Sequence, residues 1–200
     1  MAPKGIELSK SFLEFLEEKR EDILKKWKSI FWDSFGEEAK RFLSKEVDRF
    51  QNPFGYRIDE CFDGLIKELF GEFNWEEVDY FLNRLVQIRA IQEETPSKAL
   101  YLFIQLKSII RDKLGEEIIK KFGIEEFLKL EDRINTLIIR SFDHFTKYRE
   151  LLYKNRFEEW KRNNFMLLKK AGIVYDPMEG IPPTVSEKNI NINKMRGREV

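Results

Sequence analysis

A chain of 200 residues is long enough for one domain that buries about two thirds or more of its unfolded surface without help from a metal or a disulfide. Its 36 lysines and arginines balance 36 aspartates and glutamates, which removes any overall attraction to nucleic acid or to an anionic membrane surface. The single cysteine, Cys61, excludes an internal disulfide and suits a reducing cytoplasm, and the apolar runs fall far short of the roughly 20 residues that span a bilayer, so no membrane insertion is expected.

The first helix is predicted from Ser9 to Ser34, where Phe12, Phe15, Leu16, Ile23, Leu24, Trp27, Ile30 and Phe31 recur at three- and four-residue spacings on one face. Gly36 interrupts it, and a short second helix is expected from Glu37 to about Phe50. Asn52-Pro53-Phe54-Gly55 favours a turn, so the third helix is expected from Tyr56 to Phe70, with Gly71 as its stop and Cys61 on its core face. Asn74 ahead of Trp75-Glu76-Glu77 has the form of a capping box and opens a fourth helix that runs to Gln92. Thr95-Pro96 supplies an N-cap and a first-position proline for a fifth helix ending at Gly115, and a short sixth follows from Glu116 to Phe122 before Gly123.

From Ile124 a helical pattern continues to Ala171, ahead of Gly172. At 1.5 Å per residue it would be roughly 70 Å long, against a radius of gyration of about 16 to 17 Å for a globule of this size. It therefore either breaks near Asn163-Asn164 or packs its C-terminal part against another chain. Beyond it, three prolines and alternating asparagines and isoleucines over Asn189–Asn193 read as an extended or disordered tail, with one short edge strand as the alternative. The expected organisation is a helical domain over 1–171 and a tail over 172–200, in the all-α class.

No catalytic constellation is evident: His144 and Cys61 are each the only residue of their kind, and neither zinc nor di-iron ligand patterns can be assembled from one histidine. The expectation is a chain that is not an enzyme and carries no cofactor. Haem ligation through His144 is the alternative, weighed against a half-exposed helix residue with a hydrogen bond. Glu37-Glu38, Glu76-Glu77, Glu125-Glu126 and Glu158-Glu159 read as helix starts and solvent faces, and the basic end at Lys194, Arg196 and Arg198 as a solvated terminus that does not bind nucleic acid. Phe50, Phe54, Tyr56 and Trp75 read as core anchors.

Three stretches taken together carry a resemblance: Asp48 to Tyr56 (DRFQNPFGY), Ile88 to Gln92 leading into Thr95-Pro96-Ser97-Lys98-Ala99, and Phe142-Asp143 followed by Tyr148-Arg149-Glu150 and Tyr153. They resemble the RsbRD-type N-terminal domain, the helical sensory domain of RsbT co-antagonist proteins, over roughly Phe12 to Leu168. The resemblance implies a globin-like helical bundle that does not bind haem, forms a homodimer and passes a signal through its terminal helix to an output domain. Here a short tail stands where those proteins carry a STAS output domain, so the output is expected either to lie on a separate, unidentified protein partner or to be absent. Within the shared motifs Arg89, Gln92, Asp143 and Arg149 lie at or beside apolar faces, either as an internal ion-pair network or as the polar floor of a small-ligand cavity. Arg89 is expected to be held by a carboxylate, with Asp143 a candidate. The homodimer is expected to use the first helix and the distal half of the last one, through Leu152, Trp160 and Phe165.

Overall fold

A computed structural model describes residues 6–37, 50–92 and 94–174, and these form five helices with no strand. They are α1 (Lys10–Asp33), α2 (Pro53–Phe70), α3 (Trp75–Ile91), α4 (Pro96–Phe122) and α5 (Ile124–Lys170). The protein is all-helical, as the periodicity predicts. No helix among the described residues is long and apolar enough to cross a membrane. Residues 38–49 of the helix expected over Glu37–Phe50, and the tail from 175 onward, lie outside the described residues.

Helix ends follow local chemistry more often than not. Ser9 and Ser34 flank α1, and Asn74 opens α3 by accepting from the backbone N–H of Glu76 at 2.9 Å. The reciprocal half of that cap comes from Glu68 at the end of α2, whose carboxylate accepts from the Asn74 N–H at 2.8 Å, in place of Glu77. Two expectations are corrected. Asn52-Pro53 starts α2 three residues early: the Asn52 side chain accepts from the Gly55 N–H at 2.8 Å, and proline sits at the first helical position, where no N–H is needed. Gly115 does not stop a helix, because Ile118 continues the buried face beyond it and that packing outweighs the roughly 1 kcal/mol that an interior glycine costs. The true break is Gly123, whose φ of 88° is open to glycine and strained for other residues.

The core forms where α1 meets α2 and α4, and α2 meets α3. Trp27 is fully buried; its ring meets Phe62 edge-on at 4.5 Å and Phe103 at 6.0 Å, and its indole N–H donates to the Leu102 carbonyl at 2.9 Å. Lys28 of α1 bridges Asp59 at 2.7 Å and Asp63 at 2.9 Å on α2, at the wet edge of the same contact. Cys61 is buried in α2, and burial pushes its thiol up to about 11. Of the four residues read as core anchors, none is fully buried: Phe54, Tyr56 and Trp75 are half-buried, and Phe50 is 91% exposed.

Arg133 of α5 is 2% exposed, and among the described residues no carboxylate bonds to it. It donates to three backbone carbonyls instead: Ile6 at 2.8 Å, Leu69 at 2.8 Å and Gly71 at 2.7 Å. Leu69 belongs to the last turn of α2, whose carbonyls have no partner within the helix, so the cation sits at the negative end of that helix.

The α5 helix is unbroken at Asn163-Asn164, where the Asn164 side chain donates to the Trp160 carbonyl at 2.8 Å. It closes at Gly172, with Ile173 donating to Leu168 at 2.9 Å and Gly172 to Lys169 at 3.0 Å, the pattern of a Schellman stop. The chain divides into two units at Glu150 and Leu151. In the second unit α5 carries exposed apolar side chains at Leu151, Tyr153, Phe157, Trp160, Phe165, Met166, Leu167 and Leu168.

Two outcomes follow from this packing. Arg133→Met strips three carbonyls of their donor and should lower stability by about 3 kcal/mol, a fall in Tm of roughly 6 to 12 °C by circular dichroism. Arg133→Lys should not restore it, since one ammonium cannot reproduce a planar fork. A Tm within 2 °C of wild type, on the order of measurement error, would mean that the carbonyls find other donors. Secondly, Cys61 in the native protein should resist Ellman's reagent at pH 8, reacting only as fast as the fold opens and at once in denaturant.

Candidate functional site

Two polar constellations stand out in the first unit. In one, α3 contributes Trp75 and Asp79, one turn apart, and α5 contributes Arg140 and His144, also one turn apart. Arg140 Nε donates to Asp79 Oδ1 at 2.7 Å, and its Nη2 donates to Oδ2, so the pair is bidentate. The guanidinium lies over the Trp75 ring at 4.6 Å. His144 Nε2 is 3.2 Å from Asp79 Oδ1. The hydrogen bond from Arg140 is the main reason the Asp79 carboxyl is held below the usual carboxylate range, against the opposing effect of burial. This arrangement does not fit an axial haem ligand: Nε2, the atom such a ligand would offer, faces a carboxylate already paired to arginine.

The second constellation surrounds Arg89, which lies on the inner face of α3 and is 4% exposed. Its guanidinium is stacked over Phe31 at 4.4 Å and near Phe35 at 5.3 Å. Nη2 donates to Ser34 Oγ at 2.7 Å, and Ser34 in turn donates to the Phe31 carbonyl at 2.6 Å. Nη1 reaches both oxygens of Glu94, at 3.2 and 3.4 Å, while the buried Nε–H has no acceptor among the described residues. Burial pulls the guanidinium below its ordinary value, and the charge of Glu94 works against that. Arg89 and Glu94 line an open cavity of about 500 Å³ with Ser34, Lys98, Tyr101 and Leu102.

The carboxylate that holds Arg89 is therefore Glu94, and the choice of Asp143 is corrected: Asp143 is exposed on α5, where its charge acts on Arg140. Gln92 is exposed too, as the residue that closes α3. Arg149 donates to the Ala90 carbonyl at 3.3 Å, beside Arg89 in sequence, yet it does not line the cavity. Among the described residues Arg89 pairs with Glu94 and Arg149 with the Ala90 carbonyl. Glu94, Ser34 and Lys98 escape a reading of the sequence because Ser34 is 55 residues from Arg89, and Glu94 is five residues on, off the helix, where no helical spacing pairs it. Arg133 is hidden for the same reason: its acceptors are backbone atoms that any residue would carry.

The fold and these sites define an all-helical protein in which the buried Arg89, incompletely bonded among the described residues, stands at the wall of a small-molecule-sized cavity. Comparison with family models, with curated proteins and with solved structures finds no match to the chain.

Because the folded Asp79 carboxyl titrates below its unfolded value, the stability it confers is fully present above about pH 4 and is lost as pH falls through the depressed folded value. Asp79→Asn should thus melt below wild type at pH 7, with a gap that stays level down to about pH 4 and closes in more acid solution. A gap that widens below pH 4 would show that another group carries the effect.

Proposed function

We propose that this chain is a non-catalytic regulatory module of the RsbRD sensory kind, which pairs with a second copy through its last helix and acts on a separate output protein. The observation that supports it is the seam on the distal half of α5. Tyr153, Phe157, Trp160, Asn164 and Leu167 recur at alternating spacings of four and three, the period of a coiled-coil seam, with one polar residue of the kind that sets register. Trp160 is 61% exposed, and its ring stacks on Phe157 at 6.0 Å and 21°. At about 100° per residue, Leu152 and Phe165 fall to either side of this line, so the contact is proposed through the seam and not through those two. The first helix has no part in the proposal either, since none of its large apolar side chains is exposed.

Lys154, Arg156 and Lys161 flank the seam, and a second copy brings these like charges together. Added salt screens that repulsion, so a dimer held by the seam tightens as ionic strength rises. Light scattering should give a mass that climbs with concentration from 24.1 kDa towards twice that value, further at high salt. Trp160→Glu should hold the mass at 24.1 kDa. A wild-type mass that stays at 24.1 kDa throughout ends the dimer reading and leaves the seam to a partner helix with acidic flanks.

A further inference from the structure

We infer that the Arg89 cavity is a binding site for a small organic carboxylate, with the anionic head at the guanidinium and an apolar body along Tyr101 and Leu102, and that Glu94 competes for the head position. The inference deepens the sensory reading, on which it rests, by naming the chemical class sensed.

The chemistry of the head position comes first. A guanidinium stacked on Phe31 and Phe35 is fixed in plane, so an anion must approach its edge, where two parallel hydrogen bonds are the strong geometry. Glu94 does not provide it. Both of its oxygens address the single atom Nη1, at 3.2 and 3.4 Å, the long end of the hydrogen-bond range. The Nε–H has no acceptor among the described residues although the side chain is almost wholly buried, and an unsatisfied donor there is normally expensive. Its own carboxylate thus leaves the guanidinium incompletely bonded.

Independent features of the same wall favour negative charge. The α4 helix, 27 residues long, begins at Pro96, and its N-terminal residues Ser97 and Lys98 line the cavity. Thr95 makes no side-chain capping bond; its hydroxyl pairs with that of Ser97 at 3.1 Å. The positive end of the helix and the Lys98 ammonium therefore lie on the cavity that Arg89 walls. Two cations and one carboxylate leave the lining net positive before the helix end is counted.

The body of the ligand is set by the remaining wall. Ile30, Leu102 and the Tyr101 ring offer apolar surface, and a volume of about 500 Å³ lies in the range of small-molecule sites. Inorganic phosphate would use the head position and leave that surface wet, which is why a carboxylate on an aliphatic or aromatic body fits better. A carboxylate that takes the guanidinium displaces Glu94, which sits between the close of α3 at Gln92 and the start of α4 at Pro96. Binding at Arg89 is in this way coupled to the α3–α4 connection.

The test uses the full chain, titrated by calorimetry and ligand-observed NMR with phenylacetate, hexanoate, inorganic phosphate and the neutral isostere 2-phenylethanol. At least one of the two carboxylates should bind saturably, and Glu94→Gln should bind it about tenfold more tightly, because the substitution removes a tethered competitor present at millimolar effective concentration or above. Arg89→Lys should weaken binding about tenfold, as the fork is lost. Should that variant unfold, Lys98→Met, an exposed substitution, should still weaken binding several-fold with an unchanged Tm. Equal affinity in wild type and Glu94→Gln overturns the inference, as does equal binding of 2-phenylethanol or tighter binding of phosphate than of either carboxylate. Absence of saturable binding to both wild type and Glu94→Gln up to about 10 mM overturns it too. Light scattering on the same samples separates the two readings: a dimer that binds no carboxylate defeats this inference alone, and a monomer that binds one defeats only the dimer.

Discussion

The buried guanidinium of Arg133 ties together the parts of the molecule that are most distant along the chain. Its bond to Ile6 spans 127 residues, and those to Leu69 and Gly71 span 64 and 62. A charge so deeply desolvated needs compensation, and here the carbonyl dipoles at the end of α2 accept its hydrogen bonds while the charges of Glu126 and Glu68 also favour the cation. Burial pushes the group down only to about 10, so it stays a cation at neutral pH. Its other face lies 5.1 Å from the Phe73 ring. Phe73 has a φ of 63°, an uncommon conformation for a bulky residue, and it is buried there with its ring edge-on to Trp75 at 4.7 Å. Trp75 in turn carries Arg140, which is paired to Asp79. The corner between α2 and α3 is thus held by a relay of two arginines and two aromatic rings, each restricted by the next.

Arg133 and Arg89 are chemically identical and do different work. The first is satisfied by backbone oxygens that cannot move without unfolding a helix end. The second leans on one partly exposed carboxylate through long bonds, and its Nε–H has no acceptor among the described residues. Backbone acceptors make Arg133 a permanent part of the scaffold, whereas Glu94 is a side chain on a connection and can be exchanged for another anion. The contrast between fixed and exchangeable partners is what singles out the Arg89 cavity among the polar features of the first unit.

In the second unit the energetics are different again. Helix α5 from Leu151 onward has no fully buried side chain, and a helix of this length draws little stability from propensity alone. Its charged residues mix both signs, but those beside the aromatic seam are basic. An exposed aromatic stripe with like-charged borders has two ways to be covered, by a second copy once salt screens the borders or by an acidic helix at any ionic strength. The same residues thus make the oligomeric state a question of solution conditions as well as of packing.

What the sequence determined by itself rests on neighbours three or four residues away. The all-helical class, the extent of α1, the starts of α3 and α4, the core side of Cys61 and the inward face of Arg89 all follow from short-range period and capping chemistry. Local signals failed where one residue type serves two purposes. Asn52-Pro53 is a turn former that here begins a helix, and Gly115 is a helix stop that here is buried inside one. Only the tertiary structure decided which partners meet: Glu94 and not Asp143 on Arg89, Asp79 on Arg140 and His144, and three carbonyls on Arg133. Those pairings join elements tens of residues apart, and a carbonyl acceptor leaves no trace in residue identity, so helical periodicity can say that a side chain faces inward but not what it will find there.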